Sequence, residues 1–563
     1  MKVVIVGGVA GGASTAARLR RIDEHAEIIL FEKGAYISYA NCGLPYYIGD
    51  VIKERNKLFV QTAQSFNQRF NVDVRTESEV LRIDKDKKEV RVTDLKTNKE
   101  YTESYDKLVL SPGAEPIKPK FPGIDMEGIF TLRNVNDTDK IKQYAQSKAG
   151  KKAVVVGAGF IGLEMAENLH ELGLHVTIVE LASQILPPVD FPIAALAQQH
   201  IRSKGVDILL NTGVEGFERS NDDNKSVILN NGNKIEADIV ILSIGVKPDK
   251  KLAEEAGLTI GSTGGIWVNK YLQTSDENIY AVGDAIEFIN PISQKAMTTF
   301  LAGPANKQGR ICANNIVHGN KHIYKGSINT AIVKVFDLTI GSAGISSKAL
   351  KRLNIPHIVS TTRSASHASY YPDAKQITIQ LAITPNEGKI LSAQVCGEDG
   401  ADKRLDILSS YIQQGLTVYD LMEMEQAYAP PYSSAKDPVN IAAFVGENIL
   451  TEKYKVEYWD TFLDDYKNDY DGMLIDVRTS QEHQKKTIPG AVNIPLDDLR
   501  NRLSEISKDQ NLYIFCEVGL RGYLAQRILK QSGYKNVYNL SGGFSLWNVC
   551  NEEKNIINNQ IKS

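Results

Sequence analysis

The chain has 563 residues, 42% hydrophobic and 24% charged, with a formal net charge of −3. That length holds several domains of roughly 100–200 residues, and the near-neutral charge excludes the basic footprint of a nucleic-acid binder. No apolar run approaches the ~18 residues of a membrane span; with no signal-peptide pattern at the start and five scattered cysteines that form neither a disulfide scaffold nor a CxxC metal pair, a soluble cytoplasmic enzyme without a metal site is expected.

Residues 2–6 read as a buried parallel strand, Gly7-Gly8-Val9-Ala10-Gly11-Gly12 as a phosphate loop, Ala13 to Asp23 as a helix and Glu27 to Phe31 as the next strand. Glu32 closes it at about the twenty-residue spacing of a ribose-binding carboxylate. Val9 occupies the middle glycine position of a strict GxGxxG. Next comes Cys42, in Ser38-Tyr39-Ala40-Asn41-Cys42-Gly43, with no second cysteine in the five residues after it. Any disulfide at Cys42 must therefore form with something other than a sequence neighbour, or the sulfur must cycle through sulfenic acid.

A second loop is stricter: strand Ala153 to Val156, Gly157-Ala158-Gly159-Phe160-Ile161-Gly162, helix Leu163 to Leu172, strand Val176 to Val179, and Glu180. In both copies small residues let backbone N–H groups and a helix N-terminus approach a pyrophosphate. Glu180 would repel a 2′-phosphate and no arginine follows it, so NADH is expected over NADPH. Gly245 belongs with these cofactor-binding positions. Asn278 to Ala285 reads as a strand leading to a turn with Asp284 at its tip.

Two dinucleotide loops, Ser111-Pro112-Gly113-Ala114 and Gly283-Asp284 together resemble the FAD-dependent pyridine nucleotide-disulfide oxidoreductases. The resemblance implies FAD at the first loop, a nicotinamide nucleotide at the second, Gly283-Asp284 against the flavin's ribityl-phosphate region, and a third domain forming a homodimer. The segment around Cys42 resembles one branch, the coenzyme A-disulfide reductases, in Ser38, Asn41, Cys42 and Gly43. That resemblance implies bound coenzyme A, with Arg18 and Arg21 of the first helix on its phosphates. Arg20 is the alternative. It also implies Tyr370 and Tyr428 reaching the partner subunit's site to assist thiolate release, with Tyr371 and Tyr432 as neighbours, and Lys436 as a further coenzyme A contact. The family's His-x-x-x-x-Glu base is missing from 325–444. Cys42 needs a lowered pKa to rest as a thiolate, which a charge-transfer contact with flavin would favour.

From about Tyr458, the strand Met473 to Arg478, Ile488 to Pro495, the strand Leu512 to Phe515, Cys516, a helix from about Gly522, and Leu540 to Phe544 resemble a single-domain rhodanese. Its loop, Cys516-Glu517-Val518-Gly519-Leu520-Arg521, would cradle a persulfide, with Arg521 adding positive charge and Glu517 disfavouring thiosulfate as donor. Asp476 and Arg478 read as structural; Cys312, Cys396 and Cys550 carry no motif.

The expected architecture is α/β: an FAD domain (1–115 and 246–324), a NAD(P)H domain (116–245), an α+β dimerisation domain (325–445), a linker (446–460) and an α/β rhodanese domain (461–558). The expected function is NADH-dependent, flavin-mediated reduction of coenzyme A disulfide, coenzyme A persulfide or polysulfide at Cys42, with sulfane sulfur carried by Cys516. An NADH oxidase or peroxidase using a Cys42 sulfenic acid is one alternative. A sulfur-carrier or redox-sensor protein is another.

Overall fold

The computed structural model describes residues 1–147, 151–220, 224–451, 453–469 and 472–562. Parts of the expected nicotinamide domain, linker and rhodanese segment, at 148–150, 221–223, 452 and 470–471, lie outside the described residues. The chain divides into two compact units, Met1–Val179 with Thr212–Asn329, and Glu180–Asn211 with Thr330–Ser563.

The first unit holds a parallel sheet in the order Ile279–Ala281, Lys107–Leu110, Lys2–Val6, Glu27–Glu32, Asp73–Thr76. Val3, Val4 and Ile5 at its centre are fully buried, as a continuous β-branched run covered on both faces should be, and each such side chain contributes about 1.5–3 kcal/mol. The helix Ala10–Ile22 crosses from the first strand to the second and packs along Ala302–His318. A Cβ on Gly309 would stand 2.6 Å from the Gly11 carbonyl oxygen, so backbone contact fixes the helix that follows the phosphate loop. A second parallel sheet repeats the plan with His175–Val179, Lys152–Val156, Ile239–Leu242 and Ile129–Thr131, crossed over by Phe160–Glu171.

Both crossover helices start earlier than the sequence pattern suggested, at Ala10 and Phe160 rather than Ala13 and Leu163. In each loop only the first glycine, Gly7 or Gly157, has a positive φ. The residues after it are free to enter the helix at once, and the glycine-rich sequence disguises its first turn.

In the second unit an antiparallel sheet runs Ala331–Val335, Leu338–Gly344, Ile390–Gly397, Gln376–Ile383, Ile358–Ala365. Helices Ala401–Gln414 and Pro438–Leu450 pack on it, the latter running into the first residues of the expected linker. A parallel sheet follows in the order Val456–Glu457, Val537–Leu540, Leu512–Phe515, Met473–Asp476, Val492–Asn493. The long helix Gly543–Lys562 then lies against Phe191–Ser203 of the same unit. Leu546, Val549 and Cys550 close over Ala195, Phe191 stacks on Trp459 at 4.8 Å, and Gln198 Nε2 donates to Glu553 Oε2 at 2.8 Å. Among the described residues no helix is long and apolar enough to cross a membrane.

Candidate functional site

The first loop borders a cleft of about 670 Å³ in the first unit. It is lined by Gly7, Gly8, Val9, Ala10, Gly11, Glu32, Asn41, Ser111, Pro112, Gly113, Gly283 and Asp284, so most of the expected FAD residues do come together. The space is made by backbone: Gly7 sits at φ +99°, where a Cβ would meet the Ser111 carbonyl oxygen at 2.0 Å, and a Cβ on Gly12 would lie 1.8 Å from the Gly7 oxygen. Gly12 therefore supports the turn from behind. Val9 has a φ of −99°, outside the left-handed region that favours glycine, so the middle position does not call for a glycine on that ground.

Glu32 is held at its strand end by two backbone donors, Gly8 N to Oε2 and Gly34 N to Oε1, both at 2.8 Å. Burial pushes Asp284 up to about 6, opposed by Arg133. Arg133 also lines the cleft and donates to the Pro112 carbonyl at 3.2 Å; it sits in no motif, and sequence reading missed it. Tight glycines, a carboxylate at the second strand end and a cation beside the loop fit a dinucleotide such as FAD.

The second loop matches the first. Gly157 has φ +101° with its Cβ position 2.4 Å from the Ser243 oxygen, and a Cβ on Gly162 would be 2.0 Å from the Gly157 oxygen. Gly159 faces open space, leaving the helix beginning at Phe160 and Ile161 approachable, and Gly245 lies at φ +117°. These residues fit a nicotinamide dinucleotide in the same way. Glu180 Oε1 accepts a hydrogen bond from Ala182 N at 2.8 Å.

Cys42 lies in the short turn Asn41–Gly43, directly ahead of the helix Leu44–Ile48. Ser38 holds the entry in the left-handed region at φ 47°, its N–H donating to the Gly8 oxygen at 2.8 Å and its oxygen accepting from Val60 N at 3.0 Å. Such a conformation costs a non-glycine residue about 1–3 kcal/mol. It joins the thiol segment to the phosphate loop. All five cysteines are free and Cys42 is the exposed one. Partial burial of the sulfur, then Glu164 and Asp284, push its thiol up from the ordinary value. The lowering expected from sequence is thus not supplied by the chain's own residues.

The three arginines of the first helix are sorted by the structure. Arg20 is buried, donating to the oxygens of Phe70, Asp23, Glu24, Ala26 and Asn71, so it ties loops together. Arg21 is exposed. Arg18 donates to Asn314 Oδ1 at 2.9 Å, and desolvation, then Arg310 and Arg21, lower its pKa. Arg310 is thus a third cation in the group, from the helix Ala302–His318, that the sequence reading did not find.

In the second unit Tyr370 and Tyr428 meet through their hydroxyls. Tyr371 instead packs edge-on to His367 at 5.6 Å, and Tyr432 and Lys436 are exposed. Beneath both tyrosine loops Arg404 and Asp437 form an ion pair at 2.8 Å, with side chains 1% and 0% exposed. Arg404 Nη2 also donates to the Ser366 oxygen at 2.7 Å, Ser433 Oγ donates to Asp437 Oδ2 at 2.5 Å, and Ala368 N to the Ser433 oxygen at 3.1 Å. Burial alone would raise the Asp437 carboxyl; Arg404, with Ser433 and Val439 N–H, holds it below its ordinary value.

Cys516 is buried at the end of Leu512–Phe515, and Gly519 N donates to its Sγ at 3.1 Å. Gly519, at φ +112°, caps a helix that begins at Leu520 rather than Gly522. Val518 is half-buried and Leu520 exposed. The expected free charges prove to be paired: Arg521 forks onto Glu482 with two 2.7 Å bonds, and Glu517 accepts from Arg478 at 2.9 Å. Arg478 also pairs with buried Asp476 at 2.9 Å and donates to the Lys486 oxygen. From the antiparallel sheet of the same unit, Arg363 Nη1 donates at 2.5 Å to Ser545 Oγ, which in turn donates to the Glu517 carbonyl at 2.8 Å.

Three family descriptions match parts of the chain. Residues 1–306 fit the family described as pyridine nucleotide-disulphide oxidoreductase, 330–438 its dimerisation domain and 460–550 the rhodanese-like domain. The coenzyme A disulfide reductase of Staphylococcus aureus (strain JH9) is 36% identical over 444 residues, 79% of this chain and 99% of its own. Among solved structures, reduced CoADR-RHD of Bacillus anthracis aligns with a TM-score of 0.95 and 48% identity over 98% of both chains. The NAD-dependent persulfide reductase of A. fulgidus aligns with a TM-score of 0.91 and 38% identity, over 97% of this chain and 100% of that one.

Proposed function

Because the chain belongs to the pyridine nucleotide-disulphide oxidoreductase family, we propose that it is a flavoenzyme using NADH to reduce coenzyme A disulfide or coenzyme A persulfide, with Cys42 as nucleophile. Polysulfide is a further substrate of the same site, and the rhodanese segment carries sulfane sulfur on Cys516. One observation carries the reading: the sole exposed thiol, Cys42, stands beside Asn41 on the dinucleotide cleft with no second cysteine in its segment. Its disulfide partner is then a small-molecule thiol. Relatives named for coenzyme A disulfide and for persulfide support the choice.

FAD, when bound, supplies electron transfer from NADH to sulfur. The chain's residues do the rest. Gly7 to Gly12 offer amides to a pyrophosphate and Glu32 binds a ribose. Arg18 and Arg21, reinforced by Arg310, attract the phosphates of coenzyme A, and Lys436 adds a contact. Ser38 and Asn41 fix the thiol at the cleft. In a homodimer, the partner subunit's Tyr370 and the partner's Tyr428 protonate the departing thiolate. At Cys516, Gly519 N–H steadies the persulfide sulfur at a helix N-terminus. With Arg521 and Arg478 already ion-paired, the loop is poorly suited to thiosulfate and better suited to a thiol persulfide.

The test is to supply coenzyme A persulfide and NADH and to measure sulfide and coenzyme A released. Cys42→Ser should stop release while leaving the flavin bound; continued release would overturn the assignment. Oxygen or peroxide consumption exceeding disulfide and persulfide reduction under equal conditions would point to an oxidase instead.

A further inference from the structure

The loop of Cys516 is held from outside the rhodanese-like segment. Arg363 belongs to Ile358–Ala365, the edge strand of the antiparallel sheet, within the residues that match the dimerisation domain. Two hydrogen bonds join this strand to the chain from Tyr458 onward. The Tyr458 hydroxyl donates to the Val359 oxygen at 3.2 Å, and Arg363 Nη1 donates to Ser545 Oγ at 2.5 Å.

The second bond sets a direction. Arginine has donors only, so Ser545 Oγ must accept from it, and its one hydrogen is left for the Glu517 oxygen at 2.8 Å. Ser545 N–H reaches the same oxygen at 3.1 Å, and Phe544 N–H donates to the Cys516 oxygen at 2.7 Å. The approach needs a glycine: a Cβ on Gly543, at φ +71°, would stand 2.5 Å from the Glu517 oxygen. Arg363 Nε is buried, with no hydrogen-bond partner among the described residues. A cation in such surroundings polarises the groups it bonds more strongly than it would in water.

The Glu517 oxygen thus accepts two hydrogen bonds, one of them relayed from a cation. The other half of that peptide is Val518 N–H, which donates to no backbone oxygen among the described residues. Drawing electron density towards the oxygen makes the N–H a stronger donor. Gly519 N–H already lies on Cys516 Sγ at 3.1 Å, and Val518 N–H is the neighbouring donor in the same loop.

We propose that Arg363 is a positioning residue for the sulfur carried by Cys516, acting through Ser545 on the Glu517–Val518 peptide so that Val518 N–H stabilises the outer sulfur of the persulfide. The inference rests on Cys516 being the sulfur carrier. In the loading step the Cys516 thiolate attacks the outer sulfur of a persulfide RSSH. A Cys516–S–S⁻ anion forms, the RS–S bond breaks, and the thiol RSH leaves with the proton. The relay acts on the charge that ends on the outer sulfur, so it bears on the rate of transfer rather than on the grip for the donor.

The experiment mixes full-length holoenzyme with coenzyme A persulfide in the absence of NADH and quenches with iodoacetamide at intervals. Peptide mass spectrometry then reads the fraction of Cys516 that carries an extra sulfur. Arg363→Gln and Ser545→Ala should each slow loading roughly three- to tenfold, with the half-saturating persulfide concentration unchanged within about twofold. The double variant should match the slower single one within about twofold, because the two residues act in one chain. Arg363→Lys, which keeps a charged donor, should recover most of the rate. A rate within about twofold of the unaltered protein for either single variant would overturn the proposal, as would multiplicative losses in the double variant. Should Arg363→Gln not fold, Ser545→Ala decides alone by the same margin. Unaltered protein that gains no sulfur on Cys516 would instead sink the carrier reading, and the inference with it.

Discussion

Tyr370 and Tyr428 hold their hydroxyls 2.9 Å apart while their rings stand 75% and 47% exposed. Two phenols joined this way on an open surface are placed for a ligand or a partner rather than for a core, and the shared hydrogen bond raises the pKa of Tyr370. As proton donors to a leaving thiolate they act as one unit. Tyr370→Phe or Tyr428→Phe should each lower kcat for coenzyme A disulfide by about 10-fold or more. The double variant should fall short of the product of the two, as coupled groups do. Strictly multiplicative losses would mean that the tyrosines act separately.

The Arg404–Asp437 pair is the footing for that arrangement. Removing one partner leaves the other charged and buried, at a cost of about 3–5 kcal/mol. Arg404→Met should therefore lower the melting temperature, while the double variant Arg404→Met with Asp437→Leu should recover much of the stability without restoring kcat. Full recovery of both would reduce the pair to simple packing.

Around Cys516 the acid side of the pH scale is informative. Arg521, then the Thr479 backbone, hold Glu482 down at about 2, below its ordinary 4.5. A depressed carboxyl stabilises the fold above its unfolded pKa and loses that contribution as pH falls. The Glu482–Arg521 fork should thus loosen progressively from about pH 4.5 towards 2. Hydrogen exchange at Gly519 to Arg521 should accelerate over that range, and Glu482→Gln should abolish the pH dependence.

Gly12→Ala tests the cradle at the first loop. The added methyl would be driven to within 1.8 Å of the Gly7 oxygen, so the turn must open. Purified protein should lose most of its flavin, with a destabilisation of about 1–3 kcal/mol from overpacking. Val9→Gly, which adds no atoms to the turn, should retain it. Full flavin occupancy in Gly12→Ala would show that the turn is more compliant than its geometry.

The setting of the two cysteines was legible in the sequence because it is local. Cys42 follows a glycine loop and a strand-end carboxylate, and Cys516 sits between a strand and a helix, and it is the resemblance of these segments to known families that singles them out. What stayed hidden depends on distant segments. Arg18, Arg20 and Arg21 look alike in a helix, and only the loop around Phe70 and Asn71, fifty residues on, decides which is buried. The partners Glu482 for Arg521 and Asp437 for Arg404 arise from packing between elements, and no residue spacing announces them. The glycines at 11, 12 and 162 misled on helix starts, since they serve close approach rather than backbone freedom.

The helix Gly543–Lys562 has a consequence for how a shorter protein of this kind stays dispersed in water. Here Phe191, Ala195 and Leu196 are committed to covered surface, with Leu546, Val549 and Trp459 upon them. A relative of shorter length that lacks this helix would leave that face uncovered. An enzyme of that length needs polar side chains at the corresponding face, because a bare apolar patch there would drive association. The composition of that one face thus reflects whether a rhodanese-like segment is seated on it.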